Sequence, residues 1–139
     1  MDKGKGRKLL ERHIERWEEI EDMIETYQNM RMMLLGGSGI SYDKPHVMVS
    51  REDWIQRKAV NLIEYEERIK RKRLQYDKES EALFRLISKL DNQNEREVLS
   101  RYYLRHQSAS DIGNELKLNR TSVFRIMRRG ESNLDQIPR

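Results

Sequence analysis

Apolar residues recur at helical spacing over most of the chain, and in two segments they recur at intervals of seven residues. Residues 7–35 hold two such rows, Leu10, Trp17 and Ile24, and Ile20, Tyr27 and Leu34. Residues 51–89 and the position just beyond them hold one longer row, Ile55, Leu62, Ile69, Tyr76, Leu83 and Leu90. Rows of this kind bury one helix against another. The pattern therefore predicts two long helices packed along apolar seams.

Glycines separate the two predicted helices. The first is followed by Gly-Gly-Ser-Gly at residues 36–39, and the connector of residues 36–50 ends at Ser50, which can cap the second helix. If the connector folds the helices antiparallel, the last dozen residues of the second helix overhang the first. That overhang is too apolar to face water, so we expect it to pack on the C-terminal helices. The sequence leaves open whether the first helix folds back within its own chain or pairs across a dimer.

Three further helices are predicted in the last third of the chain. Asn92, followed three residues on by Glu95, is typical of a capping box and starts a helix over about residues 93–105. Two shorter helices follow, and their spacing is that of a helix-turn-helix, in which Gly113 allows a close approach. Their N-caps are predicted at Ser108 or Ser110 and at Asn119. The predicted core of this motif is Ile112, Gly113, Leu116, Leu118, Val123 and Ile126.

These elements predict an all-α protein. A long, coiled-coil-like antiparallel helical hairpin comes first, and a compact helix-turn-helix domain follows it. We assign residues 1–82 to the hairpin, with its Gly-rich connector at residues 36–50, and residues 83–139 to the C-terminal domain. No strand-like alternation of apolar and polar residues interrupts the helical pattern.

The composition fits long helices that expose much of their surface. Of the 139 residues, 37% are charged and 36% are hydrophobic, which is lean for one compact globule. The absence of cysteine suits a reducing compartment, and no apolar run approaches the roughly 20 residues that span a bilayer. The N-terminus lacks the hydrophobic core of a secretion signal. We therefore expect a cytoplasmic protein without a membrane partner.

The net charge is only +4, so the location of the basic residues matters more than their number. Once the predicted core is buried, the last helix turns a basic face outward, and such a helix on a compact support fits the major groove of double-stranded DNA. The residues predicted to face base edges are Arg120, Thr121, Phe124 and Arg125. The residues predicted to lie at phosphates are Arg101, Arg105, Lys117, Asn119, Ser122, Arg128 and Arg129.

Four short stretches carry a resemblance to a known family: Glu-Arg-Glu-Val-Leu at 95–99, Arg-Tyr-Tyr at 101–103, Asp-Ile-Gly at 111–113 and residues 121–126. With them, residues 90–134 resemble region 4, the C-terminal DNA-binding region of bacterial sigma-70-type factors. Nearly the whole chain is similar to the ArpU-like group of small phage-encoded regulators of Gram-positive bacteria. Members of that group combine an N-terminal helical segment, a Gly-rich break, a long Glu/Arg-rich helix and a region-4-like C-terminus.

The resemblance implies a regulator of phage or prophage transcription, often of late genes, that acts at promoters on the bacterial nucleoid. It leaves open whether the protein also contacts host RNA polymerase. Two positions depart from the family pattern. Lys117 stands where the turn usually has glycine, and a non-glycine residue at positive φ costs about 1 kcal/mol. Phe124 stands at an outward position where many sigma-type domains have arginine or lysine.

Other chemistry is not indicated by the sequence. His13, His46 and His106 are far apart and lack acidic or cysteine neighbours at metal-ligand spacing, so we interpret them as surface residues. The acidic residues of the first helix are typical of a solvated coiled-coil face. Residues 36–39 lack the Gly-Lys-Ser/Thr ending and the preceding strand of a phosphate loop. We therefore predict no catalytic site, metal or cofactor.

Two alternative functions stay open at this point. Small terminase subunits of phage packaging machines also combine a helical DNA-binding domain with coiled-coil helices, and they assemble into rings. A protein that mimics a sigma domain to bind polymerase would not touch DNA at all. The order of the elements, with the hairpin first and the region-4-like part last, favours the regulator.

Overall fold

The structure is a computed structural model that describes residues 4–36 and 51–138. All the regular secondary structure in these residues is helical and none of it is strand, which confirms the all-α prediction. The elements are α1 (Lys5–Gly36), α2 (Arg51–Ser88), α3 (Gln93–Leu99), a π-helical turn (Ser100–Leu104), α4 (Ala109–Leu116) and α5 (Arg120–Leu134). The predicted cap Ser50, the predicted surface residue His46 and the connector beyond Gly36 lie outside the described residues.

Contacts between residues group the chain into two compact units. Unit one holds residues 1–17 and 76–139, and unit two holds residues 18–75. Both long helices therefore contribute residues to both units. This grouping does not coincide with the domain boundary that we placed between residues 82 and 83, because the start of α1 and residues 76–82 of α2 pack with the C-terminal helices.

Unit two consists of the remaining parts of α1 and α2, which run antiparallel. The Tyr27 hydroxyl donates to Glu66 Oε2 at 3.3 Å, and Lys72 Nζ lies 3.1 Å from Glu19 Oε1. Residues late in α1 thus contact residues early in α2, and the reverse. The described helices pair within their own chain, which is one of the two arrangements that the sequence left open. The buried residues of this unit are Ile20, Met23 and Ile69.

Unit one has a continuous apolar core to which every helix contributes. Leu10 of α1, Leu83 and Ile87 of α2 and Leu90 just after α2 lie in one buried cluster with residues of α3, α4 and α5. The end of α2 therefore packs on the C-terminal helices as expected. Phe84 is an exception: we expected it to be covered, but more than half of its side chain is exposed.

The C-terminal segment also caps the first helix. The Asp135 carboxylate accepts hydrogen bonds from Gly4 N at 2.8 Å and from Gly6 N at 2.7 Å. Gly6 lies in the first turn of α1 and Gly4 just before it, so neither N–H group has a partner within the helix, and a negative charge there is favoured by the helix dipole. The two ends of the described chain are thus joined in unit one.

The predicted N-caps are present at all three C-terminal helices. Asn92 Oδ1 accepts from Glu95 N, Ser108 Oγ from Asp111 N, and Asn119 Oδ1 from Ser122 N. The predicted capping box is only half formed. Glu95 is buried and accepts a hydrogen bond from Asn133 Nδ2 at 2.7 Å instead of reaching back to Asn92. The contact ties the start of α3 to the end of α5.

The predicted helix over residues 93–105 is not regular along its length. After Leu99 it widens into the π-helical turn, in which Arg105 N donates to Ser100 O, five residues back. The segment then ends at His106, whose φ is 57°. A π-helical turn changes the direction of the following chain, and in this protein it leads into α4.

The turn between α4 and α5 depends on two unusual positions. Lys117 adopts the left-handed conformation, with φ 59° and ψ 45°, and it ends α4 although it carries a side chain. Leu118 N donates to Gly113 O at 2.8 Å, and a Cβ atom on Gly113 would lie 2.5 Å from Leu118 O. Gly113 is therefore required because the turn folds back against its Cα atom.

The interpretation of the histidines as surface residues is wrong for His13, which is completely buried in unit one. Its Nδ1 lies 2.6 Å from Glu79 Oε1 and its Nε2 lies 2.8 Å from Ser80 Oγ, and its ring stacks on Tyr76 with centroids 4.2 Å apart. Because the carboxylate can only accept, Nδ1 carries the proton and Nε2 accepts from the serine hydroxyl. Burial, with a smaller contribution from the Arg16 guanidinium, lowers the pKa of His13 to about 4.

His106 is half-buried in the same region. Its ring stacks on Trp17 with centroids 4.6 Å apart, and its Nε2 is hydrogen-bonded to the Tyr76 hydroxyl.

The burial of His13 could have been inferred from the sequence, because it stands seven residues before Ile20 and so occupies a seam position of α1.

We expect Gly113→Ala to destabilise the protein by about 2 kcal/mol or more, because the new methyl group meets the Leu118 carbonyl rather than a movable side chain. The matched control is Asn114→Ala at the next, exposed position, where the higher helix propensity of alanine should raise stability slightly. Urea unfolding of the two variants measures both effects. Equal or higher stability of Gly113→Ala would contradict the observed turn geometry.

The buried, neutral His13 predicts a loss of stability in acid. Its pKa in the folded protein, about 4, lies below the ordinary value of 6.5, so its contribution is complete above pH 6.5 and is lost as the pH falls from 6.5 towards 4. Between pH 7 and pH 5 the loss is on the order of 2 kcal/mol. His13→Asn keeps a donor towards Glu79 but does not titrate. Urea unfolding should show a flatter pH dependence for this variant, and an unchanged slope would refute the assignment.

Candidate nucleic-acid interface

Helix α5 has one buried face and one exposed face. The buried residues are Val123, Met127, Gly130, Glu131 and Leu134. A Cβ atom on Gly130 would lie 2.9 Å from Leu99 Cδ1, so α5 packs closely on α3 at this point. Met127 was not among the residues that we predicted for the core, although it stands four residues after Val123. Ile126, which we did predict, is only partly buried.

The other predicted core residues of the motif lie against the same cluster. Ile112 and Val123 are completely buried, Gly113 is buried, and Leu116 and Leu118 are partly buried at its edge. This packing fixes the rotation of α5 about its own axis, and so it also determines which side of the helix is exposed.

A row of polar and basic residues lies opposite the buried face. Thr121, Arg125 and Arg129 follow one another at intervals of four residues and are all exposed, and we call them the basic row. Side chains at this spacing share one face of a helix. Arg125 Nη2 donates to Ser122 Oγ at 3.0 Å, which holds the guanidinium near the start of the helix.

Two of the predicted base-reading residues form a pair beside this row. The Arg120 guanidinium lies over the Phe124 ring, 5.6 Å from its centroid. Arg120 is exposed, whereas Phe124 is partly buried against the core cluster. Phe124 thus supports Arg120 and only part of its ring faces outward. The structure brings Arg120, Thr121, Phe124 and Arg125 together on the first turns of α5.

The predicted phosphate-contact residues fall into two groups. Arg105, Lys117 and Arg129 are exposed, and Asn119 and Ser122 lie at the start of α5, where the Asn119 side chain is used as the N-cap.

Arg101 and Arg128 instead take part in ion pairs that support the fold. Arg101 bridges Glu97, at 3.0 Å, and Glu115 of α4, and only 19% of its side chain is exposed. Arg128 Nη1 lies 2.9 Å from Glu131 Oε1. The Arg101 guanidinium is held by one carboxylate of α3 and one near the end of α4, so a phosphate would have to displace them, and its assignment to a phosphate stays a prediction. Arg128 has a similar internal partner.

Glu131 is a buried carboxylate that the sequence analysis did not single out. Its side chain is 4% exposed, accepts from the Tyr103 hydroxyl at 3.3 Å and pairs with Arg128. Burial, and then the nearby Glu131 charge, raise the pKa of Tyr103, so this hydroxyl stays protonated as a donor. The available signal was the position of Glu131, four residues after Met127 on the apolar face of α5.

Within residues 4–36 and 51–138, no group of three or more acidic or histidine side chains is placed to hold a metal ion. Among the helices of the same residues, none is long and apolar enough to cross a membrane.

The C-terminal part of the chain is thus an all-α unit in which a helix-turn-helix presents an exposed basic row. The protein belongs to the family described as protein of unknown function DUF1492, whose model matches residues 50–135. The matched range extends from the start of α2 to the residue after α5. Searches of curated proteins and of solved structures find no significant match.

We expect Arg128→Ala and Arg129→Ala to separate structure from surface charge. The first variant leaves Glu131 buried without its closest cation and should lower the free energy of unfolding by about 1–2 kcal/mol. The second removes an exposed charge of the same type from the next position and should leave stability within about 0.5 kcal/mol. Thermal unfolding at one pH compares them, and equal melting temperatures would show that Arg128 has no supporting role.

Proposed function

We propose that this protein binds double-stranded DNA sequence-specifically through α5 and regulates transcription. The observation that carries the proposal is the basic row on α5, which lies opposite a face fixed by a fully buried core. An α-helix with its side chains is about 10–12 Å wide, which matches the roughly 12 Å major groove of B-DNA.

The start of α5 carries side chains that can contact base edges at the floor of the major groove. Arg120, Thr121 and Arg125 are exposed on its first turns, and these residue types can hydrogen-bond to base edges, with arginine favouring guanine. The exposed edge of Phe124 suits a thymine methyl group. The capped helix start also directs backbone N–H groups and the positive end of its dipole towards a phosphate.

We assign the phosphate contacts to exposed basic residues of α5 and of the segments before it. Arg105 and Lys117 precede α5 in the chain, and Arg129 lies two turns after Thr121. The ion pairs of Arg101 and Arg128 make these two residues supports of the surface rather than its contacts. Such a division gives affinity to one set of residues and sequence preference to another.

The resemblance to region 4 of sigma-70-type factors and to the ArpU-like group gives the proposal its cellular setting. In that setting the protein acts at promoters in a bacterial host and controls phage or prophage genes. The resemblance to region 4 covers α3 to α5, the part of the chain that carries the basic row.

The test begins with selection of bound duplexes from a random-sequence pool by the full chain. Fluorescence anisotropy then compares a selected duplex with a scrambled one over a range of salt concentrations. We expect binding that weakens steeply with salt, because phosphate contacts release counterions. Arg125→Ala should cost about 1–3 kcal/mol on the selected duplex and reduce its advantage over the scrambled one. Arg129→Ala should weaken both duplexes alike and lower the salt slope by about one unit.

Arg85→Ala is the matched control, because it removes the same charge from an exposed position of α2. It should change neither affinity nor preference. Absence of salt-dependent duplex binding would reject the proposal in favour of a polymerase-binding mimic. A ring of many subunits in light scattering would favour a packaging protein instead. Equal losses on both duplexes for Arg125→Ala would remove that residue from the base-reading set.

A further inference from the structure

Helix α2 carries a second apolar row within unit two, on the side facing away from Leu62 and Ile69. Val60, Ile63 and Leu74 are 52%, 61% and 57% exposed. The exposed residues Glu67 and Lys70 lie between Ile63 and Leu74 on the same side of the helix. Together these five residues are spaced alternately three and four positions apart, and we call them the outer seam. This spacing places side chains along one face of a helix and is the spacing of a coiled-coil contact.

The charges around the outer seam change sign at its centre. Glu64, Glu66 and Glu67 precede the midpoint between Arg68 and Ile69, and the four basic residues 70–73 follow it. Within the chain, Lys70 Nζ lies 3.7 Å from Glu66 and 3.9 Å from Glu67, and all three side chains are about half exposed or more. These long, solvated ion pairs hold little energy, so the charges are available to another partner.

A second copy of the same helix has the charge pattern that complements this one. If two α2 helices run antiparallel about a two-fold axis at the midpoint, Glu67 faces the partner's Lys70 and Ile63 faces the partner's Leu74. On the two flanks of the contact, Glu64 then lies near the partner's Arg71 and Glu66 lies near the partner's Arg73. In a parallel arrangement every charge would face its own copy, and like charges repel.

We propose that the protein forms an antiparallel homodimer through the outer seam of α2. The contact is isologous, as in most two-fold dimers, because each chain offers the same surface to the other. Ile63 and Leu74 cover one another at both ends, and the two central Glu67–Lys70 pairs fix direction and register, which is the usual role of polar residues at seam positions. The charged centre keeps the contact weak enough to depend on protein concentration.

This dimer does not depend on the proposed function, since it is measured without DNA. If both proposals hold, the dimer carries two copies of α5, and a two-fold protein binds DNA sites with matching symmetry. Failure of the dimer would leave DNA binding by a single chain possible, and failure of DNA binding would leave the dimer intact.

The first experiment is sedimentation equilibrium of the full chain with charge reversals. Glu67→Lys and Lys70→Glu each replace both central ion pairs by like charges, and each should weaken association at least about tenfold. The double variant Glu67→Lys/Lys70→Glu restores complementarity and should restore the dimer. A mixture of the two single variants should form a heterodimer. Circular dichroism checks that each variant keeps its helical content.

The second experiment tests direction with disulfides, which is direct because the natural chain contains no cysteine. Under mild oxidation, a mixture of Ile63→Cys and Leu74→Cys chains should cross-link to a heterodimer. Ile63→Cys alone should not, because the two copies of residue 63 are about 16 Å apart along the helices. A monomer at every concentration, a dimer unaffected by either single reversal, or efficient cross-linking of Ile63→Cys to itself would each overturn the proposal.

Discussion

Burial of the inner face of α5 is the constraint on which the candidate interface depends. Val123, Met127 and Leu134 are almost completely removed from water, and Gly130 brings the helix against Leu99 of α3. A helix has only one rotation about its axis that buries such a row. The same packing that stabilises α5 therefore decides that Arg125 is exposed, and the surface needs no separate ordering step. Its shape follows from the core behind it.

The buried carboxylates Glu95 and Glu131 of unit one are tolerated because each has a charged or hydrogen-bonding partner. Glu131 has Arg128 and the Tyr103 hydroxyl, and Glu95 has Asn133. A buried carboxylate without a partner would cost far more than a surface charge. These contacts connect α5 to α3 and to the π-helical turn. Because hydrogen bonds and ion pairs depend on direction and apolar contacts do not, they help to fix the orientation of α5. They also explain why Arg128, next to the basic row, is already paired with a carboxylate in the free protein.

Features that follow a spacing rule along the sequence could be predicted, whereas features that depend on exact distances between side chains could not. Heptad spacing is sufficient for the two long helices, and short polar residues before apolar runs are sufficient for the caps at Ser108 and Asn119. The buried state of His13 was missed because a histidine at a seam position looks polar until its partners, Glu79 and Ser80, are known. The π-helical turn was missed because residue types there are compatible with an ordinary helix. The pairing of Arg101 with Glu115 could not be predicted either, since Glu115 reaches it only through the folding of α4.

The cap on α1 joins the two ends of the described chain within unit one. Asp135 holds the first turn of α1, and Leu134 next to it is completely buried, so the residue after α5 is fixed by polar and apolar contacts together. Gly6 makes this possible, because a Cβ atom there would lie 2.9 Å from Leu134 Cβ. The end of α5 therefore cannot fray without releasing the start of α1. Helix α5 is restrained at both ends, by the turn at Lys117 and by this cap, and a helix restrained in this way can present the basic row in one fixed orientation.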